Sequence, residues 1–230
     1  MFGEENPSAT AYERSQRASL GDSCPEIHAA AIEHSRPKRA LRWLDIGCGT
    51  GAVLREIRDR YDPAHLSGLD VIDWLDDDLR EDIELRTGPA ESTLDKVGPV
   101  DRVLMIEVLE HLEAPWMVLR AAARRVAPGG RIVLTTPNVT SLRHRLGLLV
   151  RGQLTSFKPD NLPHLTPCLP HVIERVLIDE GLRVGSGHVG IDVVPLMGGR
   201  RWPPALQRRT APLTSVSLVV TADASPSGLP

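Results

Sequence analysis

The stretch Leu44-Asp45-Ile46-Gly47-Cys48-Gly49-Thr50-Gly51 restricts this chain more than any other. An apolar run over 43–46 passes through alternating glycines into 52–61, where Val53, Leu54, Ile57 and Tyr61 recur at helical spacing. The local reading is strand, tight turn, helix. Glycines at 47, 49 and 51 let the backbone turn sharply and approach a ligand with no Cβ in the way, and the helix start offers unpaired N–H groups. A nucleotide-type cradle and a structural turn that binds nothing both fit this pattern.

The alternation continues downstream. Residues 66–69, ending in Asp70, read as a second strand and 83–86 as a third. Val103-Leu104-Met105-Ile106 is the continuous apolar run of a strand buried on both faces of a parallel sheet. Trp116, Leu119, Ala123 and Val126 then recur at helical spacing, Pro128-Gly129-Gly130 stops that helix, and 132–135 forms a fifth strand. A helix over 26–34 precedes the first strand, with His28 and His34 expected on its solvated side. Another opens near Pro170 and ends at Gly181. Strands alternating with helices specify a doubly wound α/β sheet. The run Asp76-Asp77-Asp78 reads as a solvated loop or helix start.

Composition narrows the class. The chain has 230 residues, 41% hydrophobic and 25% charged, enough for one α/β domain. Its formal net charge of -3 gives no global attraction to nucleic acid or anionic membrane, although local basic clusters can still act. Cys24, Cys48 and Cys168 lack C-x-x-C spacing, so a reducing cytoplasm is expected. The first eight residues carry Glu4, Glu5 and Pro7 without an apolar core, and no run approaches the ~18 apolar residues of a membrane span.

Two motifs carry a family resemblance. Dinucleotide sites favour G-x-G-x-x-G, whereas here the order is G-x-G-x-G preceded by Asp45. Downstream lie Glu107-Val108-Leu109-Glu110-His111-Leu112, a helix, Pro128-Gly129-Gly130, a strand and Thr136-Pro137-Asn138. Together they resemble class I S-adenosylmethionine-dependent methyltransferases, especially the branch of ubiquinone-pathway O-methyltransferases and small-RNA 3′-terminal 2′-O-methyltransferases. The resemblance spans about residues 41–182. It implies a Rossmann-like, mostly parallel seven-stranded sheet with helices on both faces, an antiparallel edge from 182–189 and 215–220, and a cap inserted after the fifth strand. The expected organisation is an N-terminal helical segment or lid over 1–40, a cofactor-binding core over 41–136 and an acceptor cap over 137–168. A C-terminal helix and strands follow over 169–221, with a disordered tail over 222–230.

The same resemblance implies roles for residues. Asp45, Gly47, Cys48, Gly49 and Gly51 would hold S-adenosylmethionine, and Asp70 would accept its ribose hydroxyls. Val71, Ala90, Glu91 and Ile106 would flank the adenosine, although a polar turn is an equal reading of Ala90 and Glu91. Glu107, Glu110 and His111 stand at i, i+3 and i+4 and, in a helical turn, project to one side. With His164 they match positions that hold a divalent ion in some relatives. Two carboxylates and two imidazoles suit Mg²⁺, Mn²⁺ or Zn²⁺. A metal-free arrangement stays open, and His111 and His164 are candidate bases in either case.

The expected reaction is O-methylation of a small hydroxylated metabolite. RNA 2′-O-methylation and a non-catalytic cofactor-binding subunit are the alternatives. In the cap, Leu142, Leu146, Leu149 and Val150 alternate with Arg143, His144, Arg145 and Arg151, a pattern suited to covering a pocket, shielding a sheet edge or meeting an acidic or lipophilic partner. Oligomeric state is left open.

Overall fold

The computed structural model describes residues 25–158, 163–189 and 210–227. Residues 1–24 of the expected N-terminal helical segment or lid and the last three residues of the tail lie outside them. Seven strands, β1 (Arg42–Ile46), β2 (His65–Asp70), β3 (Ile83–Thr87), β4 (Val100–Ile106), β5 (Val126–Pro137), β6 (Arg183–Val189) and β7 (Ser217–Asp223), form one sheet in the order β3-β2-β1-β4-β5-β7-β6. The first five run parallel, and β7 is antiparallel to both β5 and β6. This is the expected Rossmann-like sheet. Its strand order reverses between β1 and β4, where such sheets open a crevice beyond the carboxyl ends of their strands. Ile46, Leu69 and Met105 are in register there, so the loops after β1, β2 and β4 start at one level.

Helices cover both faces because the strands alternate their side chains. Leu44 and Ile46 point into a core with Leu94, helix α4 (Pro115–Ala123) and helix α6 (Pro170–Asp179), while Trp43 enters a second core with α1 (Pro25–His34) and α2 (Ala52–Tyr61). Further helices include the one-turn α3 (Ala90–Thr93) and α5 (Leu142–Arg151).

Helix α1 is fastened at its end by two buried arginines. Arg131 Nη1 donates to His34 O (2.7 Å), and Arg102 Nε donates to Ser35 O (2.6 Å). These carbonyls are the orphan acceptors of a helix C-terminus, which cations complement. Arg131 is held in turn by both carboxylate oxygens of Asp223 at 2.6 Å.

Several boundaries depart from the sequence reading. The helix expected to reach Val126 stops at Ala123, and Val126 pairs with Val100 as the first residue of β5. Pro128-Gly129-Gly130 therefore lies inside a strand, at a register shift opposite Val100 and Arg102. Only a glycine fits at 130, where a Cβ would stand 2.8 Å from Ala127 O. Strand β7 starts at Ser217 and overruns the expected tail start at Ala222, because Asp223 anchors its end to Arg131. The acidic run is braced: Arg55 reaches Asp76 and Asp78, Arg80 reaches Asp73 and Asp77, and Leu79 is buried beneath.

Helix α5 is inverted relative to a cap that turns apolar residues inward. Its buried positions are His144 and Gly147, whereas Leu142, Leu146, Leu148, Leu149 and Val150 are exposed. The inward face is polar because the following loop packs there: Ser156 N donates to His144 Nε2 (3.3 Å), and Ser141 Oγ lies 3.0 Å from His144 Nδ1. At Gly147 a Cβ would meet Thr155 Oγ1 at 2.8 Å, which leaves no room for an apolar side chain.

Candidate active site

The glycine turn closes the carboxyl end of β1 as expected. Gly47, Gly49 and Gly51 have φ of 75°, 52° and 85°, the left-handed region that glycine enters without penalty. At Gly47 the need is also steric, since a Cβ would lie 2.5 Å from Val108 Cγ2. Gly47 N donates to Leu69 O (2.7 Å), and Gly49 N donates to Asp70 Oδ2 (2.9 Å), so Asp70 ties the turn to β2.

Above the turn lies a cavity of about 540 Å³. Asp45, Gly47, Cys48 and Gly49 line it from β1, Asp70 and Val71 from β2, and Ala90 and Glu91 from α3. Ile106, Glu107, Glu110 and His111 line it after β4, and His164 reaches it from the cap. Gly51 does not line it; its α-carbon faces Leu75 and Leu79, where a Cβ would be 2.7 Å from each. Cap helix α5 contributes no lining residue; Pro163, His164 and Leu165 supply that wall.

The turn after β4 is 3-10 rather than α-helical, over Leu109–His111, and is entered through Glu107 at φ 53°. This separates Glu107 from the set expected to share one side. One ligand atom each of Glu110, His111 and His164 lie within 4.8 Å of one another, without Glu107. Glu107 N is fixed by Thr135 Oγ1 (3.0 Å), and its side chain meets that of Glu110. Glu110 Oε2 accepts from Thr136 Oγ1 (3.1 Å), leaving Glu110 Oε1, Glu107 Oε1 and His164 Nδ1 buried with no partner.

The imidazoles are oriented from behind. His111 Nδ1 lies 2.9 Å from Pro163 O, so it carries the hydrogen and Nε2 keeps its lone pair. The backbone of Ser156 binds the His164 ring, and the two rings meet edge to face with centroids 5.0 Å apart. Burial, with His164 adding to it, pushes His111 down to about 4, and burial also lowers His164. Both are neutral near pH 7.

The acids show the opposite effect. Burial and the neighbouring Glu107 hold Glu110 well above the usual carboxylate range, and burial raises Glu107. Burial first, then Asp70, pushes Asp45 up to about 8, and burial raises Asp70 itself. The cavity thus holds two sets of acids, Asp45 with Asp70 and Glu107 with Glu110, without a fixed cation among its described lining residues. Each set is suited to a positively charged ligand group.

Among the lining residues that the sequence reading did not assign to the site are His28 and Trp74. His28, expected on solvent, is half-buried in the cavity wall, with its pKa lowered by burial against the opposing charge of Glu56. The signal was present: His28 stands one turn before Ile32, which is 2% exposed. Trp74 lines the cavity from the loop after β2, where no periodicity marks it.

Known proteins resemble this chain in sequence and in fold. The methyltransferase-domain family matches residues 12–183. A ubiquinone biosynthesis O-methyltransferase of Maricaulis maris is 35% identical over 173 residues, covering 72% of this chain and 67% of that protein. The mitochondrial ubiquinone biosynthesis O-methyltransferase of Homo sapiens is 28% identical over 179 residues, covering 73% of this chain and 48% of that protein. The chain therefore spans about two thirds of the bacterial relative's length and about half of the human one's. A solved S-adenosylmethionine-dependent methyltransferase of Archaeoglobus fulgidus superposes with a TM-score of 0.63 at 17% identity, covering 95% of this chain and 100% of that one, a likeness of fold.

Proposed function

Because the chain belongs to the class I S-adenosylmethionine-dependent methyltransferases, we propose that it O-methylates a hydroxyl group of a small molecule with the help of a divalent cation. The observation that carries this reading is the convergence of Glu110, His111 and His164 on the cavity that the glycine turn also lines. Their buried, unpartnered Glu110 Oε1 and His164 Nδ1, with His111 oriented by Pro163 O, fit a cation, because ligating imidazoles are characteristically held from behind in this way. Mixed nitrogen and oxygen donors suit Mg²⁺, Mn²⁺ or Zn²⁺. The relatives named for O-methylation in ubiquinone biosynthesis support oxygen as the acceptor atom.

S-adenosylmethionine supplies an electrophilic methyl group, and the chain's task is to align it with the acceptor and manage one proton. Asp70 takes the ribose hydroxyls, Asp45 the cofactor's ammonium, and Val71, Ala90, Glu91 and Ile106 border the adenosine. Glu110, His111 and His164, with Glu107 beside them, would hold a divalent ion, whose positive charge would favour the ionised acceptor hydroxyl. Where no ion is bound, the lone pair on His111 Nε2, neutral at pH 7, accepts the acceptor's proton. The reading places the enzyme in a reducing cytoplasm, with Cys48 and Cys168 as buried thiols.

The test is methyl transfer, followed by mass spectrometry, to a panel of phenols, sugars and aliphatic alcohols with added Mg²⁺, Mn²⁺ or Zn²⁺ or with a chelator. Methyl ethers that form with metal and fail under chelation support it. Full activity after extensive chelation, with no anomalous Mn²⁺ peak between His111 and His164 in soaked crystals, removes the metal. Products methylated only on nitrogen or carbon overturn O-methylation.

A further inference from the structure

Helix α5 lines none of the cavity, yet one of its buried side chains is connected to the site through a single loop residue. His144 is 2% exposed, on the face that α5 turns inward. A polar ring buried there needs hydrogen-bond partners to offset the water it has lost. It has them on both nitrogens. Ser156 N donates to Nε2, which makes Nε2 the acceptor and puts the ring hydrogen on Nδ1, facing Ser141 Oγ. Thr155 Oγ1 donates to Arg143 O (3.2 Å), so the same loop is bound to α5 twice. The loop also meets the site. The backbone of Ser156 binds the His164 ring, and the ring of Phe157 tilts against that imidazole with centroids 5.3 Å apart. The Ser156 contact opposes the lowering that burial imposes on His164, so the group involved is the carbonyl, accepting from the ring N–H. Because His164 Nδ1 is buried with no partner, the donor is Nε2, and Nδ1 keeps its lone pair.

We propose that His144 is a positioning residue for the reaction, fixing the orientation and tautomer of His164 through the backbone of Ser156. The inference rests on the role given to His164 under the proposed function. Residues 152–158 form turns and bends with no helix or strand to hold them, so the Ser156 carbonyl keeps its place only through what the loop packs on. Withdrawing the acceptor at His144 leaves the Ser156 N–H without a partner. The peptide then reorients to find one, its carbonyl leaves His164, and the imidazole becomes free to rotate or to exchange tautomers. An imidazole that binds an ion or accepts a proton loses about tenfold to a hundredfold in function when the group behind it is removed. His111 needs no such relay, because Pro163 O lies directly behind it. The relay also gives a buried histidine on α5 a use that an apolar residue at the same position could not serve.

The experiment compares His144→Asn with His144→Gln in the full chain. Asparagine keeps a polar group facing Ser141 but is too short to reach Ser156 N, whereas glutamine offers that N–H an acceptor again. Histidine-labelled ¹⁵N NMR of the metal-free protein is expected to show a ring N–H resonance, absent from His164→Ala, that exchanges slowly with water. In His144→Asn that exchange should accelerate at least about tenfold, and in His144→Gln it should return to within about threefold of wild type. Affinity for Mn²⁺ alone, read by electron paramagnetic resonance, and kcat on a methylated acceptor of the panel above should follow the same pattern. Affinity for S-adenosylhomocysteine should stay within about twofold in both variants, because α5 does not line the cavity. A merely structural role would lower the melting temperature and move none of the other readouts. A wild type without the His164 resonance, or a His144→Asn variant that keeps its protection, overturns the proposal. If wild type binds no Mn²⁺ and His164→Ala keeps full turnover, the reading of the site fails, and the resonance still decides for or against the relay.

Discussion

Binding of S-adenosylhomocysteine should release a proton from Asp45. Its carboxyl is buried at the end of β1, with a pKa pushed up to about 8 first by desolvation and then by Asp70. The empty site is therefore protonated at pH 7, whereas a bound ammonium group favours the ionised form. Ionising Asp45 at pH 7 costs about 1.4 kcal/mol, so affinity should be roughly tenfold weaker at pH 7 than at its plateau near pH 8.5, with a further approach to tenfold by pH 6. Calorimetry at pH 7 in buffers of different ionisation enthalpy should count close to one proton released. The same group bears on folding. A carboxyl raised from 3.8 favours the fold at low pH, and that contribution is lost as pH rises toward 8. At pH 7 the full penalty is about 4 kcal/mol, and water in the open cavity reduces it to roughly 1–3 kcal/mol. Asp45→Asn should therefore raise the melting temperature by about 3–10 °C while weakening and flattening the pH profile of binding. Affinity that is flat from about pH 6 to 8.5 in the wild type, or a slope that survives in Asp45→Asn, would refute this reasoning.

Other perturbations separate the parts of the site. His111→Ala and His164→Ala should each abolish methyl transfer while leaving calorimetric affinity for S-adenosylhomocysteine within about twofold; unchanged turnover in both removes them from the chemistry. Because His111 is depressed from 6.5 to about 4, its contribution to the fold is complete above pH 6.5 and is lost as pH falls toward 4, up to about 3 kcal/mol. Denaturant melts of wild type and His111→Gln should converge in acid. Asp70→Ala removes the acceptor of the Gly49 N–H along with the proposed ribose contact and should weaken cofactor affinity by about tenfold to a hundredfold, which equal calorimetric affinities would reject. Arg131→Met strands Asp223 and the His34 carbonyl and should cost about 3 kcal/mol by chemical denaturation, with Asp223→Asn milder because Asp223 is 31% exposed.

The sheet was readable because its strands follow the rule for parallel sheets: 103–106 is uniformly apolar and buried on both faces, and the glycine turn has few alternative conformations. That residues just beyond β1, β2 and β4 line one cavity followed from the same geometry, since they must share one level. Periodicity was less informative where contacts overrode it. Leu142, Leu146, Leu149 and Val150 carry an apolar face, but a periodic pattern does not tell which side of a helix the protein occupies. The outcome was decided by His144 and Gly147, which accommodate the loop at 153–156. Likewise Asp223 reads as tail until its partner Arg131, ninety-two residues earlier, is placed beside it. The i, i+3, i+4 spacing of Glu107, Glu110 and His111 assumed an α-turn, and the left-handed backbone at Glu107 altered the grouping.

That backbone sets stability against activity at one position. Glu107 holds φ 53° and a carboxyl that burial raises, with Oε1 unpartnered. Glycine tolerates the same φ without the roughly 1 kcal/mol cost borne by a residue with a Cβ, and it brings no buried acid. A library selected only for thermal endurance should therefore accumulate Glu107→Gly, whereas one selected for methyl transfer should purge it. Sequencing the two pools side by side would show directly where this protein bears a cost in folding for the sake of its chemistry.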